Sequence, residues 1–315
     1  MPNNYVRGVL YACLSACSYG TNPIFAKFLY QDGINTNSVL FYRFAFGTLL
    51  LGLLMLAERR TFSLTRREAV ILLALGVIFA ISSITYFLSF YYMPAGVAAT
   101  LVFSYPVFVA LLMAIFYHER LKWPSLMAIA LTIGGMVLLN RNDDGQPIAL
   151  TGILLILGSA LSYAFYIIIV NKSKIALSSV KLTFFAMISC LMTIIVYAML
   201  TPAEPLQLLH GESEWTYAFM LGLLPTVVSL VFMAMAIRCI GSTPTAIMGA
   251  LEPVTAILLG VLFLSEALSV RSYFGIALIL VAVTLIILDD RLRRALKGGR
   301  ILKKGRLMWH RIRWK

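Results

Sequence analysis

The sequence predicts an all-α membrane protein of ten transmembrane helices, laid out as two inverted five-helix repeats with both termini in the cytoplasm. Three observations predict it: a composition suited to lipid, apolar runs of bilayer length, and an internal repeat. Of 315 residues, 61% are hydrophobic and 12% charged, and the mean hydropathy is +0.90. A soluble domain carries about 25% charged residues. A bilayer core is about 30 Å thick and an α-helix rises about 1.5 Å per residue, so one span takes roughly 20 mainly apolar residues.

Such runs lie near 8–29, 37–57, 69–90, 96–117 and 123–140, then 152–171, 180–200, 215–237, 243–264 and 270–288. The breaks carry turn or charge signals: Gln31-Asp32-Gly33, Glu58-Arg59-Arg60, Arg141 to Gly145, and Pro202 with Pro205. The first run lacks a cleavage site of small residues and is closed by Lys27, so it reads as a first span rather than a removed signal peptide.

Lysine and arginine orient the spans, because translocating positive charge in short loops is disfavoured. With the N-terminus inside, 22 of the 26 basic residues fall on the inner side, eleven of them in the tail from Arg291 to Lys315. Only Arg141 and Arg271 fall outside, and Lys27 and Arg43 lie within spans. The net charge of +13 is mostly this tail, which follows the last span directly, so anionic lipid of the inner leaflet is its expected partner rather than nucleic acid. Trp309 and Trp314 among those basic residues suit a segment lying on the membrane surface; a basic tail that only fixes topology is the alternative.

A shift of 144 residues superimposes Gly8 on Gly152, Leu10 on Leu154, Ser15 on Ser159, Ala16 on Ala160, Ser18 on Ser162 and Tyr19 on Tyr163. A shift of 147 superimposes Ala99 on Ala246, Pro106 on Pro253, Val107 on Val254, Phe116 on Phe263, Glu119 on Glu266, Leu121 on Leu268 and Ser125 on Ser272. Helix 1 thus matches helix 6, and helices 4 and 5 match 9 and 10. Five spans is an odd number, so the second half enters the membrane from the opposite side, an arrangement suited to exposing one midplane site alternately to each side. The expected units are 1–145, 146–290 and the tail 291–315. The expected central cavity lies between helices 1, 3, 4 and 6, 8, 9. Helices 5 and 10 then pair at the periphery, where Gly134 and Gly135 allow close packing and a homodimer face is one reading.

Tyr19-Gly20-Thr21-Asn22 with Lys27, Arg43, and Leu251-Glu252-Pro253 through Glu266-Ala267-Leu268 resemble the EamA-type repeat of the drug/metabolite transporter superfamily, over about 8–140 and 152–288. The resemblance implies a ten-helix carrier of the bacterial inner membrane that works without ATP, often as an exporter of amino acids, nucleobases, sugars or toxic compounds.

Ionisable residues inside spans are costly and usually face a cavity or a partner. Glu252, directly before Pro253 and about nine residues into helix 9, is the leading candidate; a carboxylate that only supports the kink is the alternative. Its repeat mate Tyr105 is expected to face the same cavity. Lys27 and Arg43 lie toward one end of helices 1 and 2 and are expected to share a vestibule. The alternatives are that Lys27 snorkels to the interface and that Arg43 pairs with Asp32 or a helix C-terminus. Asn22 beside Pro23 is a polar group where helix 1 bends. Tyr19, Tyr163, Tyr86 and Phe103 line an aromatic cavity or pack between helices. Glu119 and Glu266 read as helix-end anchors.

Catalytic and cofactor signatures are not found. His118, His210 and His310 are scattered, Cys13, Cys17, Cys190 and Cys239 read as small hydrophobes, and no phosphate-binding loop or metal spacing occurs. A carrier is the expected function, no cofactor is implied, and a membrane-embedded enzyme, a sensor or a channel are its rivals.

Overall fold

Helices begin and end where the chain supplies substitutes for missing backbone partners. Asn35 accepts the Ser38 N–H at 2.9 Å and starts α3; Thr65 and Glu68 form a reciprocal capping box at α4. Gly33, at φ +83°, makes the turn between α2 and α3 that a side chain would strain. The computed structural model describes residues 2–118, 123–139, 149–173, 175, 177–240, 245, 248–266, 269–285 and 288. The tail Arg291 to Lys315, Glu119 and the 140–148 connection lie outside the described residues, and with them the expectations placed there.

Among the described residues the regular structure is helical throughout. In chain order, α1 is Pro2–Gly20, α2 Asn22–Gln31, α3 Thr36–Ala57, α4 Arg66–Ser89, α5 Ala95–Val102, α6 Tyr105–Tyr117 and α7 Trp123–Leu139. Then α8 is Leu150–Lys172, α9 Ser179–Leu200, α10 Glu212–Gly222, α11 Ser229–Ile240, α12 Leu251–Phe263 and α13 Val270–Leu285, with a π-helical stretch, Leu223–Val228, joining α10 to α11. Six helical stretches are long and apolar enough to cross a membrane by length and composition, and shorter apolar helices cover 126–139, 251–263 and 270–285. Leu56, Phe116, Leu262 and Val270 are all more than 60% exposed. In water such faces would be an aggregation hazard, whereas in lipid they are the outer surface, so this is a multi-pass membrane protein.

The packing repeats with the sequence. α1 lies along α11, and α4 lies along α8. In the first pair the Ser15 hydroxyl donates to the Ser229 carbonyl at 2.8 Å; in the second Ser159 donates to the Ser82 carbonyl at 2.7 Å. Ser159 is the mate of Ser15 under the 144-residue shift and Ser229 the mate of Ser82 under the 147-residue shift. One hydroxyl–carbonyl contact between buried helices therefore occurs twice.

The expected pairing of helices 5 and 10 is present as α7 against α13. They cross at Gly135 and Gly275, where a β-carbon on Gly135 would stand 2.8 Å from the Gly275 carbonyl and 2.6 Å from Ile279. Its neighbour Gly134 meets only Leu278, at 3.9 Å. Gly135→Ala is accordingly expected to cost about 1–3 kcal/mol by overpacking, and Gly134→Ala to be neutral or slightly stabilising, because alanine suits a helix better. Equilibrium unfolding in mixed micelles checks this; equal effects at the two glycines would mean that α7 and α13 do not cross there.

Candidate functional site

Four prolines interrupt the helices at one level of the molecule. Proline lacks an N–H and its ring crowds the carbonyl four residues back. Pro23 follows the break between α1 and α2, Pro106 the break between α5 and α6, Pro225 lies in the π-helical stretch, and Pro253 stands in the first turn of α12. Hydroxyls occupy the neighbouring carbonyls: Thr21 donates to Ser18 at 2.6 Å, Ser104 to Leu101 at 2.6 Å, and Thr226 to Leu221 at 3.4 Å. Broken helices are tolerated at membrane depth only where protein or a cavity satisfies the backbone, and they commonly frame binding sites.

Close approach of the broken helices gathers the side chains. Gly20 lets α1 lie against the first turn of α12, where a β-carbon would meet the Glu252 carbonyl at 2.6 Å. Gly47 of α3 touches the Thr226 side chain in the same way, at 2.8 Å. That contact carries the Arg43 guanidinium, whose Nε donates to Thr226 Oγ1 at 3.4 Å. Arg43 is only 2% exposed. Its guanidinium carbon stands 5.1 Å from the Phe44 ring centre and 5.3 Å from that of Phe87, and the Tyr19 hydroxyl lies within its electrostatic reach. Among the described residues Arg43 forms no ion pair.

Glu252 is the anionic counterpart. Its carboxylate makes no ion pair among the described residues, yet it lies within electrostatic reach of Arg43, Tyr19, Tyr86, Tyr105 and Tyr163. Tyr105 and Tyr163 meet edge to face at 4.7 Å, Phe103 packs edge-on to Tyr105 at 5.8 Å, and Tyr166 stacks on Tyr163 at 5.8 Å. Tyr19, Tyr105, Tyr163 and Glu252 are half-buried. Asn22, 1% exposed at the first helix break, has neither amide atom partnered among the described residues. Seven of the nine residues singled out from the sequence thus come together from α1, α3, α4, α5–α6, α8 and α12, and Asn22 adjoins them at the break that follows Tyr19.

Lys27 does not join them. Its Nζ stands 2.8 Å from Glu266 Oε1, with the two side chains 20% and 10% exposed. The same carboxylate accepts the Ala95 N–H at 2.7 Å and the Gly96 N–H at 3.4 Å, so it caps α5 as well. Ser265, left-handed at φ 53°, turns the chain after α12 and lets the Glu266 N–H reach the Gly260 carbonyl at 3.1 Å. Lys27 and Arg43 therefore have separate partners in place of the shared vestibule, because Glu266 offers Lys27 a charge-assisted bond that Arg43 cannot. Glu266 is the helix-end anchor expected of it.

Sequence comparison agrees with this architecture. The EamA-like transporter family matches twice, over residues 6–141 and 150–288. The chain belongs to the EamA-like transporter family. Among its relatives, a Rickettsia conorii protein named S-adenosylmethionine uptake transporter is 28% identical, with 90% of this chain and 93% of that protein aligned. An Escherichia coli protein named probable amino-acid metabolite efflux pump is 27% identical, over 66% of this chain and 72% of that one. A crystal structure 19% identical superimposes with a TM-score of 0.62, covering 93% of this chain and 99% of its own, and shares the fold. The chain is a transporter of the drug/metabolite type.

Sequence reasoning missed Thr226, Phe87 and Tyr166. Tyr166 was legible as the residue one turn beyond Tyr163 on the same face; Phe87 and Thr226 were not, since only the helix crossing brings them to Arg43. The Lys27–Glu266 contact generates a test. A double-mutant cycle with Lys27→Gln and Glu266→Gln, read by thermal unfolding in detergent, is expected to show a coupling of about 1–2 kcal/mol. Strictly additive losses would mean that the two charges do not interact.

Proposed function

We propose that this chain is a secondary carrier for a small metabolite bearing an amino-acid head group, working by alternating access in a bacterial inner membrane. The observation that carries this reading is the pairing of opposites in one cluster: a buried guanidinium and a carboxylate, neither of them ion-paired, facing each other among tyrosines where the helices break. An α-carboxylate supplies the anion that Arg43 lacks, and an α-ammonium supplies the cation that Glu252 lacks. Leaving either charge buried and alone is expensive, so a zwitterion that answers both at once gains the most. The names of two relatives point the same way, since S-adenosylmethionine and amino-acid metabolites share that head group.

In this reading the chain crosses the membrane ten times, with units 1–145 and 146–290 in opposite orientation and both termini in the cytoplasm. The twice-occurring serine contact and the double family match support the repeat. The Lys27–Glu266 pair and the capped α5 close the cluster at one end, which the distribution of positive charge makes the outer one. At the inner end the sequence equivalent of Glu266 is Glu119, and Lys172, at the end of α8, stands next to the equivalent of Lys27. Lys172 packs its ammonium 4.1 Å from the Tyr117 ring centre.

Glu252→Gln and Arg43→Gln are each expected to cut uptake of a radiolabelled amino-acid substrate into proteoliposomes by about tenfold or more, the loss of one charge-assisted hydrogen bond. Glu252→Gln should also change the pH dependence of flux, since an amide, unlike a carboxyl, neither binds nor releases a proton. Candidate substrates are first ranked by thermal stabilisation of the purified protein. Flux through reconstituted Glu252→Gln that matches wild type at every pH would remove Glu252 from the mechanism. Counterflow from either face separates a carrier from a channel and tests the export direction.

A further inference from the structure

A groove of about 590 Å³ runs along the membrane-facing side of α7 and α13, walled by Leu138, Val270, Phe274, Leu278 and Val281, with Arg271 at one end. It lies apart from the tyrosine cluster. Val270 and Phe274 are 72% and 64% exposed, as residues that meet acyl chains should be. Arg271 is out of place among them. It begins a helix at the edge of the hydrocarbon, where one Nη donates to the Val137 carbonyl at 3.1 Å near the C-terminus of α7. Its Nε is shielded and has no partner, and among the described residues it forms no ion pair.

We propose that this groove holds one anionic phospholipid, its phosphodiester on the Arg271 guanidinium and an acyl chain along Val270, Phe274 and Val281. Three arguments favour that occupant. A guanidinium presents paired N–H donors that match phosphate oxygens, and the Val137 carbonyl takes only one of its five N–H groups. The site sits where a helix end meets the apolar face, at the depth of lipid head groups, so a single lipid can satisfy both the charge and the apolar wall. A second copy of the chain is the worse fit: a two-fold dimer centred on the groove brings Arg271 toward the partner's Arg271, placing two like charges together in a medium of low dielectric.

The test is native mass spectrometry of the full chain released from nanodiscs of equal parts dioleoyl phosphatidylglycerol and dioleoyl phosphatidylcholine. The wild type is expected to retain one phosphatidylglycerol in preference to phosphatidylcholine, and Arg271→Gln to lose that retention by about tenfold, as expected for one charge-assisted hydrogen bond. Ala277 also lines the groove, so Ala277→Trp, which fills it and leaves Arg271 in place, should displace the lipid too. Because that variant keeps the contact with Val137, it separates lipid loss from a disturbed α7 terminus. Equal retention by wild type and both variants overturns the proposal. So does a lipid-free dimer that Ala277→Trp breaks apart, or thermal stabilisation by inorganic phosphate as large as that by phosphatidylglycerol.

Discussion

Arg43 carries a guanidinium that is 2% exposed and, among the described residues, has no carboxylate in contact with it. Taking such a charge out of water costs several kcal/mol even after the surroundings relax. The structure offsets that cost in parts: a hydroxyl at Thr226, the faces of Phe44 and Phe87, the reach of Tyr19 and the more distant charge of Glu252. None of these neutralises it. The small residues follow from the same requirement, because Thr226 can meet the guanidinium only if Gly47 lets α3 approach the π-helical stretch. A larger side chain at 47 would separate the two helices and leave the charge worse solvated.

The prolines set the level at which these groups gather. Each removes one backbone donor in a region without water, and Thr21, Ser104 and Thr226 turn their hydroxyls onto nearby carbonyls. Such bonds stay within one helix and ask nothing of the neighbours. The broken segments can therefore change direction at those points without exposing unpaired carbonyls to lipid.

Much of this was legible in the sequence. Apolar runs located the helices because lipid imposes length and composition together, and the shifts of 144 and 147 residues located the repeat because two equivalent packing environments constrain the same residue types. Glu252, Tyr105, Tyr19 and Tyr163 were legible for the same reason: two of them are repeat mates of the other two. What the sequence could not supply was pairing across helices. Lys27 and Glu266 are 239 residues apart, and nothing in either neighbourhood names the other. The breaks were only partly legible. Pro23 and Pro253 stood beside Asn22 and Glu252 and drew attention to them, whereas the π-helical form around Pro225 depends on Thr226 keeping both Arg43 and the Leu221 carbonyl.

On the proposed alternating-access reading, the repeat keeps the two conformations close in energy. Contacts that join the two halves twice over, Ser15 with Ser229 and Ser159 with Ser82, on that reading cost the same whichever end is open, so they hold the bundle together without favouring a state. The bias must come from contacts that the two ends do not share in one conformation. Lys27 on Glu266 is such a contact, and Lys172 on the face of Tyr117 is a weaker arrangement at the position beside its mate. A part-buried ion pair and a cation over an aromatic ring are each worth about 2 kcal/mol or less, so they differ by no more than that. A difference of that size leaves both conformations populated, and a substrate that binds one form only modestly better is then enough to move the population between them.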